Sequence, residues 1–308
     1  MLAKFLIGAT GGVVTDLNNI VLVYDTRLSS GTTISVPTGS GSHTIDWGDG
    51  TSNSYNTSGY KNHTYSVNDV YIVQVSGTVT SFGNSSAPTA NNVNKLQECL
   101  SFGNVGLTSL SSAFRDCSNL TSVPSSIPSA VTALTSMFFG CTSFNDNSVT
   151  SWNTTNVTDM NNTFRDATSF NRAIGSWTMT NVASIRSMFE GATSFNQSLN
   201  SWNTINITDM SRAFQSATAF NNAIGGWNTS SVVDMGAMFA LSTSFNQYIG
   251  DWDTSSVIDM VSMFNSATVF DQNLTGWCVT NITSEPSNFS VSSALSPGNK
   301  PVWGTCPP

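Results

Sequence analysis

The side chains able to do chemistry are few, and most of them recur. Carboxylates return at Asp159, Asp209, Asp234 and Asp259. Like carboxylates in neighbouring units are raw material for acid–base work or for a calcium ion. Asp46 and Asp49, beside the Gly48 turn, are the second place where calcium would touch. Capping of local structure is the competing role for all of these aspartates. The two histidines, His43 and His63, fall far from the recurring aspartates, so no imidazole stands ready to serve them. The chain also lacks a glycine-rich phosphate loop, a Gly-x-Ser-x-Gly elbow and a His-Glu-x-x-His pair. The expectation is a protein that is not an enzyme and holds no cofactor, with calcium the one ion left open.

Polar recognition is the other available chemistry. A regular set of apolar positions is followed by slots that escape the template and vary: Arg172, Gln197, Asn222, Gln247 with Tyr248, and Gln272. Amides, an arginine and a tyrosine suit a polar ligand, a glycan or a protein. An ordinary solvated face is the alternative for each. Charge narrows the partners. Charged residues make up 9% of the chain, against roughly 25% in ordinary soluble proteins. The net charge is −8, and residues 107–277 carry five basic and eleven acidic side chains. No basic groove forms, which argues against nucleic acid, and no apolar run is long enough for a membrane span.

The elements that must position these residues follow from one period. Tryptophan stands at Trp152, Trp177, Trp202, Trp227, Trp252 and Trp277, a step of 25. Phenylalanine keeps the same step at Phe164, Phe189, Phe214, Phe239 and Phe264, and again at Phe170, Phe195, Phe220, Phe245 and Phe270. Such a period marks a repeat array whose units bury their apolar faces on one another. Val157, Met160, Phe164 and Ala167 fall on one face of a short helix, with Asp159 in its first turn. Phe170 to Trp177 reads as a short strand, and stacked copies give a parallel sheet with Asn171, Asn196, Asn221 and Asn246 as an amide ladder. The expected fold is therefore an α/β repeat solenoid of short parallel strands and short helices. The ladder tryptophans belong to packing and do not form a sugar platform.

These units resemble BspA-like leucine-rich repeats of bacterial surface proteins. The later ones, with Phe170-Asn-x-x-Ile-Gly-x-Trp177 and Val157-x-Asp-Met-x-x-x-Phe164, are similar to the variety of 25 residues known from mycoplasmas. The resemblance implies display outside the cell for adhesion or recognition. Upstream, Ile20–Tyr24, Thr33–Val36, Thr44–Trp47, Val70–Val75 and Val79–Phe82 read as strands of a small antiparallel sandwich. Asp46-Trp-Gly-Asp-Gly-Thr51, His63-Thr-Tyr65 and Tyr71-Ile-Val-Gln-Val75 resemble the core of PKD-like, immunoglobulin-like domains.

The organisation read from these signals is an N-terminal arm (1–18), a β-sandwich (19–82), a linker and N-terminal cap (83–106), the solenoid (107–277) and a C-terminal cap (278–308). Cys278 and Cys306 flank the last segment and are expected to form a disulfide. Cys117 and Cys141 occupy an alanine-sized slot as buried thiols or as a rung-to-rung pair. The apolar start at Met1–Thr10 is too short for a secretory signal. Two functions fit. One is an extracellular recognition or adhesion protein binding a glycan or protein on a cell surface. The other is a virion or appendage component docked to other subunits through its N-terminal region.

Overall fold

The computed structural model describes residues 16–86 and 89–307. The N-terminal arm expected over residues 1–18 lies mostly outside them. The first part of the chain forms seven strands: β1 (Ile20–Asp25), β2 (Thr33–Thr38), β3 (His43–Asp46), β4 (Ser52–Tyr55), β5 (Gly59–Thr64), β6 (Val70–Gly77) and β7 (Leu96–Phe102). They make a five-stranded antiparallel sheet in the order β4-β3-β6-β1-β7 and a two-stranded sheet of β2 and β5. Alternation drives the pairing of layers. Ile20, Leu22 and Tyr24 of β1 share a core with Ile34 and Val36 of β2, and the Tyr24 hydroxyl donates across it to the Ser35 carbonyl. Trp47 is fully buried at the turn after β3, its indole N–H donating to Asn53.

Strand β7 joins this unit to the repeats. One edge pairs with β1, with Ile20 opposite Phe102. On the other edge, Cys99 N–H donates to Ser122 O at 3.0 Å, and Thr121 N–H donates to Gln97 O at 2.8 Å. A second seam runs from Thr80–Phe82 to Thr108–Ser109. The Phe114 ring then packs on Phe82 and Phe102, so one hydrophobic core runs through both parts. The short α1 (Ala90–Val93) lies just before β7.

From there the chain repeats. Three aromatic files run along the stack. Phe114, Phe138, Phe164, Phe189, Phe214, Phe239 and Phe264 follow one another at 5.4–5.8 Å between centroids. Phe144, Phe170, Phe195, Phe220, Phe245 and Phe270 do so at 5.7–6.0 Å. Trp202, Trp227, Trp252 and Trp277 stack at 6.1–6.5 Å. Each indole N–H is satisfied one unit back: Trp177 donates to Val149 O, Trp202 to Ile174 O and Trp227 to Leu199 O. A fully buried aromatic contributes about 1.5–3 kcal/mol, and each rung from Phe138 onward supplies three.

The α/β reading is wrong. Helix accounts for only 4% of the described residues, and the regular sheets are antiparallel and not closed. Within residues 107–277 the one helical segment is the 3-10 turn Asn147–Ser151. The apolar spacing that reads as a helix face comes instead from successive tight turns. Val157 N–H bonds to Thr154 O, Thr163 to Met160, Ala167 to Phe164, and Phe170 to Ala167. Each turn returns an apolar side chain to the interior after three or four residues, which imitates helical periodicity.

Left-handed residues are the physical obstacle to a helix. Asn162 and Asp166 have φ of 56° and 57°, and the same two slots recur as Arg212 with Ser216, Ala237 with Leu241, and Ser262 with Ser266. Such residues cannot continue a right-handed helix. Serine, threonine and asparagine also compete for the backbone in turns. Those left-handed slots donate to the next rung, with Asn162 N–H to Arg186 O at 2.9 Å and Asp166 N–H to Glu190 O at 2.7 Å. Among the described residues no strands pair in parallel either. Adjacent rungs touch through isolated parallel bridges such as Asp209–Asp234 and Asp234–Asp259.

The end of the stack is closed. Phe264 N–H donates to Phe289 O, and the Phe289 ring meets Phe264 at 90°, ending the parallel file. Trp303 lies edge-on to Phe289, and Cys278 forms a disulfide with Cys306.

Candidate functional site

The segment after the second phenylalanine of each rung carries the variable slots, and its geometry explains their chemistry. Where a backbone ladder was expected, an amide side chain stands in for the carbonyl. Asn171 Oδ1 accepts the Asn196 N–H at 3.0 Å, Asn196 Oδ1 accepts Asn221 N–H at 2.9 Å, and Asn221 Oδ1 accepts Asn246 N–H at 3.0 Å. Asn246 passes the pattern to Asp271, whose carboxylate takes the Ser296 N–H. Those bonds hold the Asp271 carboxyl below the usual carboxylate range, the Ser296 N–H contributing most.

Five of the six candidate ligand residues bond back to this file. Arg172 Nε donates to Asn145 O, and Gln197 Nε2 to Asn171 Oδ1. Asn222 Nδ2 reaches Asn196, Gln247 Nε2 reaches Asn221, and Gln272 Nε2 reaches Asn246. Their polar ends brace the wall from rung to rung. Tyr248 differs. The residue is 51% exposed, and its hydroxyl donates to Asp251 Oδ1 at 2.7 Å. That hydrogen bond raises the phenol above its usual pKa. The structure thus separates one outward aromatic from five bracing side chains. Asp251 and Gly250, which hold the ring, were missed in the sequence because their slots are small residues in the preceding rungs.

The recurring aspartates do not cap helices. Asp159 Oδ1 accepts Asn161 N–H, Asp209 that of Ser211, Asp234 that of Gly236, and Asp259 that of Val261. Each closes a turn two residues on, the local bond that aspartate offers in non-helical backbone. Burial, and then the Asp209 and Asp259 carboxylates, raise the Asp234 pKa. A notch of about 290 Å³ opens beside it, lined by Arg186, Arg212, Gly236, Ala237 and Val261 among others. Among the described residues no group of three or more His, Cys, Asp or Glu is placed to hold a metal ion.

Asp46 and Asp49 also serve local bonds: Asp46 accepts the Gly48 N–H, and Asp49 accepts Thr51 N–H and pairs with His63 Nε2 at 2.7 Å. The His63 ring stacks on Trp47 at 4.7 Å. Cys99, Cys117 and Cys141 are buried free thiols, and burial pushes each of them well up, away from the reactive thiolate. Cys141 donates to the Phe114 carbonyl at 2.9 Å rather than bonding to Cys117.

With this geometry in hand, the repeats match the family model described as "Mycoplasma protein of unknown function, DUF285", over residues 108–207 and again over 197–300. The chain belongs to this family. The two DUF285 segments run from the first rung into the C-terminal cap and include all six variable slots. They are consistent with the BspA-like surface repeats that the ladder resembles. No curated protein and no solved structure matches the chain. No helix among the described residues is long and apolar enough to cross a membrane.

Proposed function

We propose that this DUF285 chain is a non-enzymatic recognition protein, displayed outside the cell on a cell or virion surface, that binds a glycan or protein through its stacked rungs. The supporting observation is a contrast within each rung. Inward positions repeat and are consumed by aromatic packing, while the outward wall varies yet is held rigid by the amide file. A wall already ordered loses little conformational freedom on binding. Among the groups that acid–base chemistry would need, Asp159, Asp209, Asp234 and Asp259 each close a local turn and His63 pairs with Asp49. The same proposal takes the N-terminal sheets as a PKD-like extracellular domain, on the strength of the Trp47–His63 stack and the Asp49 bond within its motif.

The seam at β7 favours a second reading as well. A unit fused to the rungs by backbone hydrogen bonds would hold them at a fixed angle to a particle. Labelled full-length chain titrated onto candidate host cells tests the main reading. Saturable binding competed by unlabelled chain is expected. Uptake that stays linear and uncompeted on every cell type overturns it. Co-sedimentation with particles, without binding to cells, would select the structural reading instead.

A further inference from the structure

Tyr248 is held in a way that its own hydroxyl does not require. A Cβ added to Gly250 would meet Tyr248 Cε2 at 2.8 Å and Cζ at 2.9 Å, so the ring lies flush on glycine backbone. Any side chain at residue 250 would push it off. The hydroxyl is tied at its far edge to Asp251 Oδ1 at 2.7 Å. One face is therefore floored, the edge is pinned, and the residue is still 51% exposed.

The neighbouring rungs clear space around it. The slot of Tyr248 is Ala223 one rung earlier, and the slot of Asp251 is Gly226 before and Gly276 after. Earlier rungs place Ser176 and Ser201 there, each bonded to the preceding rung. The change to Gly–Asp–Gly removes that bond and leaves an exposed carboxylate between two glycines. Asp251 Oδ2 makes no hydrogen bond among the described residues. One rung on, exposed Asn273 has its Oδ1 taken by Thr275 N–H and Oγ1, while its amide nitrogen makes none among them.

We propose that Tyr248, Asp251 and Asn273 form a subsite for one pyranose ring of a glycan. This rests on the recognition reading above and deepens it. The C–H face of the sugar packs on the aromatic ring. Its hydroxyls donate to the free Asp251 oxygen and accept from the Asn273 amide. A ligand with both donors and acceptors on one apolar-faced ring satisfies all three groups. An ammonium or guanidinium would serve the ring and the carboxylate but has no acceptor for the amide. The fixed ring adds little ordering cost on binding.

The test uses the full chain on a printed array of neutral and acidic oligosaccharides, with poly-L-lysine as a cationic probe. Thermal unfolding of each variant confirms that it is folded. Binding to a class of pyranose oligosaccharide is expected. Tyr248→Ala and Asp251→Ala should each weaken it about tenfold or more, which is 1.4 kcal/mol. Tyr248→Phe should retain more binding than Tyr248→Ala, and Ser194→Ala, exposed two rungs back, should match wild type. Sugar binding that persists in Tyr248→Ala overturns the proposal. So does poly-L-lysine binding that depends on Asp251 without any oligosaccharide binding. Binding to cells with no binding to the array overturns this subsite alone. Failure on cells and array together removes the recognition reading as well.

Discussion

Replacing Asn196 by alanine isolates the bond that substitutes for a strand ladder. Asn196 Oδ1 accepts the Asn221 N–H at 2.9 Å and Asn222 Nδ2 at 2.7 Å. Two hydrogen bonds are lost, each contributing about 0.5–1.5 kcal/mol. Both residues bonded to it lie where water reaches, which moves the expected cost to the low end, about 1–2 kcal/mol. Because each rung contacts only its neighbours, the loss should be local before it is global. Amide hydrogen exchange of Asn221 reads it directly, and a cost of that size quickens exchange roughly 5- to 30-fold. Asn196→Asp is the control, since Asp271 already fills this slot and accepts the Ser296 N–H at 2.8 Å. Asp should therefore keep most of the protection at Asn221. An alanine variant with wild-type exchange, or an aspartate variant as fast as alanine, would refute the stand-in role of the amide.

Three further outcomes follow from the rungs. Leu241 sits at φ 61° with 46% exposure, in the slot that Gly191 fills two rungs earlier. Leu241→Gly should gain up to about 1 kcal/mol in urea unfolding, the relief of left-handed strain exceeding the extra entropy of glycine. Gly191→Ala should lose stability, because residue 191 sits at φ 69° and its added Cβ would also lie 2.2 Å from Asp166 Oδ1, so that carboxylate must shift. Asp234→Asn keeps the acceptor for Gly236 N–H but removes a carboxylate whose pKa is raised by burial and by Asp209 and Asp259. A raised carboxyl pKa contributes stability below its unfolded value, about 3.9, and loses it as pH rises through the folded one. The Asn variant should thus melt higher than wild type at pH 7, with the difference vanishing below the carboxylate range. Equal melting at pH 7 would contradict this.

Much of the packing was legible in the sequence, because packing is what the period of 25 encodes. Phe and Trp fall in files as their spacing implies, Met160, Met210, Met235 and Met260 are buried, and Asn171 to Asn246 pair rung to rung. Secondary structure was not legible. Val157, Met160, Phe164 and Ala167 have the same spacing whether a helix or a chain of tight turns returns them inward. The deciding signal is conformational: two left-handed slots four residues apart, occupied by serine, asparagine, aspartate, arginine, alanine and leucine as well as glycine. Without glycine in most copies, residue type hides that requirement. The candidate site was half legible. Variation after Phe170, Phe195, Phe220 and Phe245 marks the outward wall, yet it cannot separate Gln197, which braces Asn171, from Tyr248, whose ring is left open. That difference depends on Gly250 and Asp251, whose meaning appears only when the rungs are stacked.

In the proposed function, the outward wall of the rungs does the recognising. Hydrogen–deuterium exchange of the full chain, free and bound to the cells that capture it, tests this most directly. Protection on binding should fall on backbone amides of the outward segments of adjacent rungs, centred on residues 247–251 and 272–276. Protection confined to residues 16–86, with the rungs unchanged, would contradict it.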